Sequence, residues 1–150
     1  MQAMRAVVQR VTEAQVSVGA SIVGSIKRGL LVFVAVRRGD SVREAQKLCD
    51  KILRLRIFPD EQGKMNQDLL QVGGSLLIVS QFTLYGDTSK GNRPSYSEAE
   101  QTEQAGDLYH LFVELCRSRC SNVQTGHFQA HMQVQLVNDG PVTLLCQAES

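Results

Sequence analysis

The run GLLVFVAV at residues 29–36 is the longest apolar stretch of the sequence and the one that decides the fold. It is continuous and rich in valine rather than alternating with polar residues, which is typical of a strand covered on both faces. A second apolar run, SLLIVSQFTL at residues 75–84, turns polar at Ser80, Gln81 and Thr83. The first run therefore predicts a strand in the middle of the fold, and the second predicts a strand with a polar far end.

Other strand patterns lie before and after these two runs. β-Branched side chains are frequent at the start of the chain, and Gly19 and Gly24 then indicate hairpins. Beyond residue 131 apolar and polar residues alternate until Asp139 and Gly140 break the pattern. The predicted strands are residues 5–12, 14–18, 131–138 and 141–147, and the predicted loops are residues 59–63 and 86–94.

Two helices are predicted between the groups of strands. Ser41 with Glu44 three residues later is a capping-box pattern, and Ser97 with Glu100 is a second one, from which a helix would run to about Cys120. The inward stripe of the first helix is Ala45, Leu48, Cys49, Ile52 and Leu53, opposite Arg43, Lys47, Lys51 and Arg54; that of the second is Ala105, Leu108, Phe112, Leu115 and Cys116. The expected fold class is a strand-rich α/β single domain, residues 1–150, in packed layers.

The composition is that of an ordinary globular protein. Of 150 residues, 43% are hydrophobic and 21% are charged, with a net charge of +1, which excludes disordered, collagen-like and strongly basic nucleic-acid-wrapping classes. The longest apolar run is far shorter than the about 20 residues of a membrane span. Arg5, Gln9 and Arg10 interrupt any signal-peptide core. We expect an intracellular protein without a membrane segment.

Charge is unevenly distributed along the chain. Residues 1–75 contain 12 Lys and Arg against 7 Asp and Glu, whereas residues 76–150 contain 4 against 8. This asymmetry suits a protein that contacts a polyanion over a limited area, and two ordinary solvated faces would produce it equally well.

The four cysteines are interpreted as structural. Cys49 and Cys116 are in step with apolar helix stripes, and a buried free cysteine behaves as a small hydrophobe. The alternative is a zinc site, because Cys116, Cys120, His127 and His131 form the pattern C-x3-C-x6-H-x3-H. Its central spacer is half the usual length, so we expect no metal.

Two segments have unusual polarity for their positions. They are the strand end SQFTL at residues 80–84 and NDGPVT at residues 138–143. Hydrogen-bonding side chains at the end of a buried strand need partners, although a strand that simply leaves the core would explain them as well. The common hydrolase, metalloprotease and nucleotide-binding motifs are absent from the sequence.

SQFTL and NDGPVT in this order closely resemble the D-aminoacyl-tRNA deacylases, once called D-tyrosyl-tRNA deacylases. The resemblance extends over essentially the whole chain through RAVVQRV, GLLVFVAV, RIFPDEQGKMN, GGSLLIVSQFTL, GNRPSY, TGHF and MQVQLVNDGPVT. One departure is Tyr96, where the family pattern has phenylalanine, so a hydroxyl is added near the expected site.

The resemblance implies a homodimer in a three-layer α/β/β fold, with two active sites at the subunit interface. It implies hydrolysis of the ester bond of D-aminoacyl-tRNA, and of glycyl-tRNA, in the cytoplasm, without a cofactor or a metal. The Gly140-Pro141 peptide would be cis and would reach into the partner's pocket. Its two carbonyl groups would hold the α-ammonium so that an L side chain collides with the backbone, and glycine escapes this rejection.

The resemblance also implies the residues of the site. The expected catalytic set is Ser80, Gln81, Phe82 and Thr83, and the expected substrate-binding set is Gly140, Pro141, Phe128, Met132 and Arg93. Phe128 would stack on the terminal adenine, and a core role for this ring is equally compatible with the sequence. The partner is the 3′ end of an aminoacyl-tRNA.

Two mechanisms remain open at this point. Thr83 could act as a nucleophile, although no general base is visible beside it in the sequence. Alternatively, the ribose 2′-hydroxyl activates or positions water while backbone N–H groups around Phe82 and Thr83 hold the oxyanion. The first alternative function is a non-catalytic nucleic-acid-binding dimer of the same fold, and the second is a metal-binding module.

Overall fold

The computed structural model describes residues 2–149. In chain order the elements are the strands β1 (Gln2–Val18), β2 (Ser21–Ile26) and β3 (Gly29–Ala35), the helix α1 (Val42–Arg54), the strands β4 (Phe58–Pro59), β5 (Met65–Gln67) and β6 (Ser75–Ser80), a 3-10 turn (Phe82–Tyr85), the helix α2 (Thr102–Arg117), and the strands β7 (Val123–Thr125) and β8 (Gln133–Glu149).

Strand β1 organises a six-stranded sheet. One of its edges pairs along nearly the whole length with β8, and its other edge pairs first with β3 and then with β2, all antiparallel. On the far side of β3 the sheet continues in parallel through β6 to β7. Because β2 also lies against β6 and β7, the sheet is nearly closed on itself. Strands β4 and β5 form a separate antiparallel pair.

The central strands β3 and β6 are covered on both faces, as the GLLVFVAV run predicts. Successive side chains of a strand point to opposite faces, and here they enter two different apolar clusters. Leu30, Val32, Val34, Leu76 and Ile78 pack with α1 and α2, whereas Leu31, Leu77 and Val79 pack with β1, β2 and β8. The expected strand-rich class with two main helices is thus confirmed.

Helix α1 begins as the sequence predicts, but α2 does not. The Glu44 carboxylate accepts hydrogen bonds from the Ser41 N–H at 2.8 Å and from Ser41 Oγ at 2.9 Å, which closes the N-terminus of α1. The prediction for Ser97 was wrong, because α2 begins at Thr102 after Gln101. The Glu100 N–H instead donates to the Val36 carbonyl at 3.0 Å, which keeps this segment extended beside the end of β3.

Three strand predictions also needed correction. Residues 5–12 and 14–18 belong to one strand, β1, because β8 pairs with both parts. Residues 131–138 and 141–147 likewise join in β8. The strand predicted at 75–84 ends at Ser80, since the chain turns into the 3-10 segment there. The predicted loop at 59–63 is a turn between β4 and β5.

Within residues 2–149, no helix has the length and apolar character needed to cross a membrane.

Candidate active site

A cavity of about 590 Å3 opens where the parallel strands β3 and β6 end. Carboxyl ends of parallel strands are a frequent location for ligand sites in α/β sheets. The cavity is lined by these strand ends together with the start of α2 and the segment before β8, and its wall contains Ser80, Gln81, Phe82, Tyr96, Glu100, Phe128, Gln129, His131 and Met132. The structure therefore brings five of the predicted site residues to one place: Ser80, Gln81, Phe82, Phe128 and Met132.

Strand β6 ends at Ser80 because the backbone changes direction after this residue. The Gln81 N–H still donates to the Val34 carbonyl at 2.8 Å, and the next residues leave the sheet in a tight turn closed by hydrogen bonds from Leu84 to Gln81 and from Gly86 to Thr83. Phe82 is thereby held 57% exposed at the rim of the cavity, with its ring 5.1 Å from that of Tyr96 in an edge-to-face contact. The added hydroxyl of Tyr96 therefore belongs to a residue of the cavity wall.

Thr83 lies beside the cavity rather than in its described wall. Its hydroxyl oxygen accepts a hydrogen bond from the side-chain amide of Gln81. An amide N–H is a donor and cannot take a proton from the hydroxyl. This contact positions Thr83 without activating it as a nucleophile.

Tyr85, at the end of the same turn, is buried. Among the residues that the structure describes, its hydroxyl is a buried side-chain oxygen without a hydrogen-bond partner. Burial raises the pKa of this phenol well above its usual value, so it stays protonated at neutral pH. The Arg5 guanidinium lies 4.7 Å from the ring centroid and donates to the Leu84 carbonyl at 3.0 Å. These two contacts of Arg5 hold the 3-10 turn in place.

Phe128 packs against a core residue and also lines the cavity. One side of the ring stacks on Tyr109, with centroids 5.7 Å apart and planes at 27°, and the ring also lines the cavity. It approaches α2 closely at Gly106, where an added Cβ would lie 3.1 Å from Phe128 Cε2. Arg93, by contrast, is exposed in the segment between the 3-10 turn and α2 and is not among the described residues of the wall.

Gly140 and Pro141 lie on a bulge of β8. Gln9 pairs with Thr143 and Val11 pairs with Asn138, so residues 139–142 are extra residues opposite Arg10. The Gly140-Pro141 peptide is cis, as the resemblance implies, and both residues are exposed. Neither is part of the described cavity wall.

Two side chains that were assigned no role hold this bulge in place. Arg10 donates from Nε to the Asp139 carbonyl at 3.0 Å and from Nη1 to the Ile57 carbonyl at 2.6 Å. Asn138 Oδ1 accepts the Val142 N–H at 2.8 Å. The Arg10 side chain is only 11% exposed. The sequence signal for it was a charged residue within a strand rich in apolar residues.

The two cysteines and two histidines of the zinc-like pattern do not come together in one site. Cys116 and Cys120 are buried, whereas His127 and His131 are exposed. Among residues 2–149 no three His, Cys, Asp or Glu side chains are grouped as metal ligands. The Cys116 thiol instead contacts Cys49 Sγ at 3.6 Å, between the two helices.

The chain is similar to known proteins over nearly its whole length. A family model described as D-Tyr-tRNA(Tyr) deacylase matches residues 7–147. A D-aminoacyl-tRNA deacylase of Thermotoga petrophila is 56% identical over 142 residues, which cover 95% of each chain. A solved structure named c-Myc DNA Unwinding Element Binding Protein is 40% identical with a TM-score of 0.92, covering 97% of this chain and 99% of that one.

A more distant structure, described as a probable eukaryotic D-amino acid tRNA deacylase, is similar in fold. It has a TM-score of 0.84 at 19% identity and covers 98% of this chain and 100% of its own. The family match spans both the cavity segment around Phe82 and the bulge at Gly140, together with the strands that carry them. The chain therefore belongs to the D-Tyr-tRNA(Tyr) deacylase family.

Proposed function

We propose that this chain, as one domain over residues 1–150, is a cytoplasmic D-aminoacyl-tRNA deacylase. It hydrolyses the ester of D-aminoacyl-tRNA, and of glycyl-tRNA, and leaves L-aminoacyl-tRNA intact. The observation that carries this proposal is the outward bulge at residues 139–142, which Arg10 and Asn138 hold in place beside an otherwise regular strand pair. Family membership over residues 7–147 supports the same conclusion.

The proposed enzyme is a homodimer, because one chain does not bring the bulge to its own cavity. Strand β8 runs from Val134 in the cavity wall to Asn138 at the base of the bulge, which is roughly 13 Å at 3.3 Å per residue. A second copy can place its bulge over this cavity. The exposed apolar side chains of Phe82, Val137 and Leu145 provide surface for such a contact.

In this arrangement the partner's bulge reads the chirality of the aminoacyl group. The carbonyl groups of Gly140 and Pro141 accept hydrogen bonds from the α-ammonium and place Cα against the backbone. An L side chain then points into these atoms, a D side chain points away from them, and glycine has no side chain to be rejected. Selection against L-residues is independent of the identity of the D side chain.

Hydrolysis follows the route in which the substrate assists. Water attacks the ester carbon, the C–O3′ bond breaks, and a proton of the attacking water passes to the leaving 3′ oxygen, with the ribose 2′-hydroxyl positioning the water. The N–H groups of Phe82 and Thr83 open a 3-10 turn, and the first N–H groups of such a turn are not used by its own hydrogen bonds. They are the proposed donors to the oxyanion. The Gln81 contact argues against a nucleophilic Thr83.

The test is deacylation of D-tyrosyl-, D-alanyl-, glycyl- and L-tyrosyl-tRNA by the purified protein. We expect similar rates for the two D-substrates, cleavage of the glycyl ester, and an L-ester stable over the same time. Rapid cleavage of L-tyrosyl-tRNA, or no cleavage of any of the four, contradicts the proposal.

A second candidate function is nucleic-acid binding without catalysis. It is favoured by one relative, 40% identical, whose name describes DNA binding. Tight binding of duplex DNA by a protein that leaves every aminoacyl ester intact would support this alternative.

A further inference from the structure

A second groove, which shares no lining residue with the cavity, lies between the outer face of α1 and the end of β8. It has a volume of about 570 Å3, and its charged lining residues are Lys47, Lys51, Arg54, Arg56 and Asp50, with Gln147 from β8 opposite them. We call it the α1 groove. Four cations thus face one carboxylate, in a chain whose net charge is only +1.

The one acidic group of the α1 groove is already shared between two arginines. Asp50 Oδ1 lies 3.0 Å from Arg54 Nε and 3.2 Å from Arg119 Nη1, which approaches from beyond α2. These are exposed pairs that add little to stability. Because the cations outnumber this one carboxylate, the α1 groove keeps a net positive charge.

Two of the other cations, Lys51 and Arg56, are available to an anion in solution. Lys51 and Arg56 are exposed, and Arg56 is oriented by hydrogen bonds from its Nε to the Asn66 carbonyl at 3.0 Å and from Nη2 to the Asn66 side chain. A guanidinium carries five N–H donors, so these two bonds leave Arg56 able to bind phosphate oxygens.

The spacing of the cations suits a nucleic-acid strand. Lys47, Lys51 and Arg54 follow one another along α1 over roughly 10 Å at 1.5 Å per residue. A helical nucleic-acid strand carries about one phosphate per 3.4 Å of axis. The row is therefore long enough to meet about three successive phosphates.

The α1 groove also lies close to the bulge. Arg56 directly precedes Ile57, whose carbonyl accepts the Arg10 hydrogen bond that fixes the bulge. On the other wall, Gln147 is four residues from Thr143 on β8, which is roughly 13 Å. RNA that delivers its esterified end to the bulge can reach the α1 groove within a few nucleotides.

From these observations we propose that the α1 groove binds backbone phosphates of the tRNA whose esterified end is read by the Gly140-Pro141 bulge of the same chain. The proposal rests on the proposed function for the identity of the RNA. In the dimer, one subunit thus contributes both the bulge and a phosphate clamp to a substrate that is hydrolysed in its partner's cavity. Phosphate contacts of this kind position an RNA without reading its sequence.

Binding of uncharged tRNA, measured by fluorescence anisotropy over a range of salt concentrations, tests the α1 groove without requiring catalysis. Lys51→Gln should weaken binding about fivefold to tenfold at 0.1 M salt and reduce the slope of log Kd against log salt by about one. The double variant Lys51→Gln/Arg56→Gln should reduce the slope by about two. Lys27→Gln is the matched control, because Lys27 is an exposed lysine outside both the α1 groove and the cavity.

A second measurement separates RNA binding from chemistry. Lys51→Gln should lower kcat/KM for D-tyrosyl-tRNA but not for D-tyrosyl-adenosine, which has no phosphate backbone. Equal tRNA affinities and salt slopes for Lys51→Gln and Lys27→Gln would overturn the proposal, as would an equal loss on D-tyrosyl-adenosine. If the unmodified protein hydrolyses neither substrate but Lys51→Gln still loses salt-dependent tRNA binding, the proposed function fails and the α1 groove stands.

Discussion

Gly140→Val places a branched side chain at the centre of the proposed selector. Gly140 has a φ of 137°, a conformation that L-residues rarely adopt. A Cβ built there would lie 2.8 Å from Val142 Cγ2 and 3.1 Å from Arg10 Nη2. Valine therefore meets an unfavourable backbone conformation, a collision with Val142 and a tight contact with Arg10, one of the two side chains that hold the bulge.

The expected loss follows from the size of this strain. Holding a residue with a side chain in such a conformation costs about 1–3 kcal/mol. If the bulge moves to relieve the strain, the same free energy is lost from transition-state binding, which lowers kcat/KM by about 5-fold to 150-fold. D-Tyrosyl- and glycyl-tRNA should lose activity by the same factor, and L-tyrosyl-tRNA should remain uncleaved because the colliding carbonyls are still present.

The matched control is Gly19→Val in the turn between β1 and β2. Gly19 also has a positive φ, 58°, but an added Cβ there meets no atom within 4 Å. It should lower thermal stability and leave kcat/KM unchanged. Wild-type kcat/KM in Gly140→Val would refute the assignment of the selector. Cleavage of L-tyrosyl-tRNA by Phe82→Ala would also refute it, because selection would then lie in a side-chain pocket.

Three further predictions concern the cavity and the assembly. Thr83→Ala should lower kcat but not abolish it, as measured in single-turnover assays, and a trapped aminoacyl ester on Thr83 would restore the nucleophile mechanism. Gly106→Ala should raise KM for tRNA a few-fold at unchanged kcat, because the new Cβ displaces the ring of Phe128. An unaltered KM would show that this ring does not take part in substrate binding. Analytical ultracentrifugation at micromolar concentration should give the mass of a dimer, and a fully active monomer would contradict the shared site.

The features that could be predicted from sequence are those that depend on neighbours along the chain. The continuous run at residues 29–36 reports burial on both faces, and the Ser41 cap is closed by a residue three positions away. The pattern at Ser97 has the same form, yet a distant carbonyl, that of Val36, takes the Glu100 N–H and overrides it. Local pattern alone does not reveal such a competitor.

The candidate site also has residues that the sequence predicts and residues that it does not. The polarity of Ser80 and Gln81 at the end of an apolar strand was visible in the sequence, and both residues lie in the cavity wall. Arg10 was missed because its partners at residues 57 and 139 are far away in the chain. The opposite wall contains Phe128 and Met132, which were predicted, and Gln129 between them, which was not. The parallel pairing of β7 with β6 brings this segment to the cavity.

The two hydrogen bonds of Arg10 also bear on biosynthesis. They join residues separated by 47 and by 129 positions, so the bulge acquires its shape only after the first strand, the segment following α1 and the last strand have met. A nascent chain on the ribosome can form the early hairpin and α1 from local contacts, but it has no bulge until nearly its last residue has been made. The chain therefore acquires the proposed selector of D- over L-aminoacyl esters at the end of its own folding.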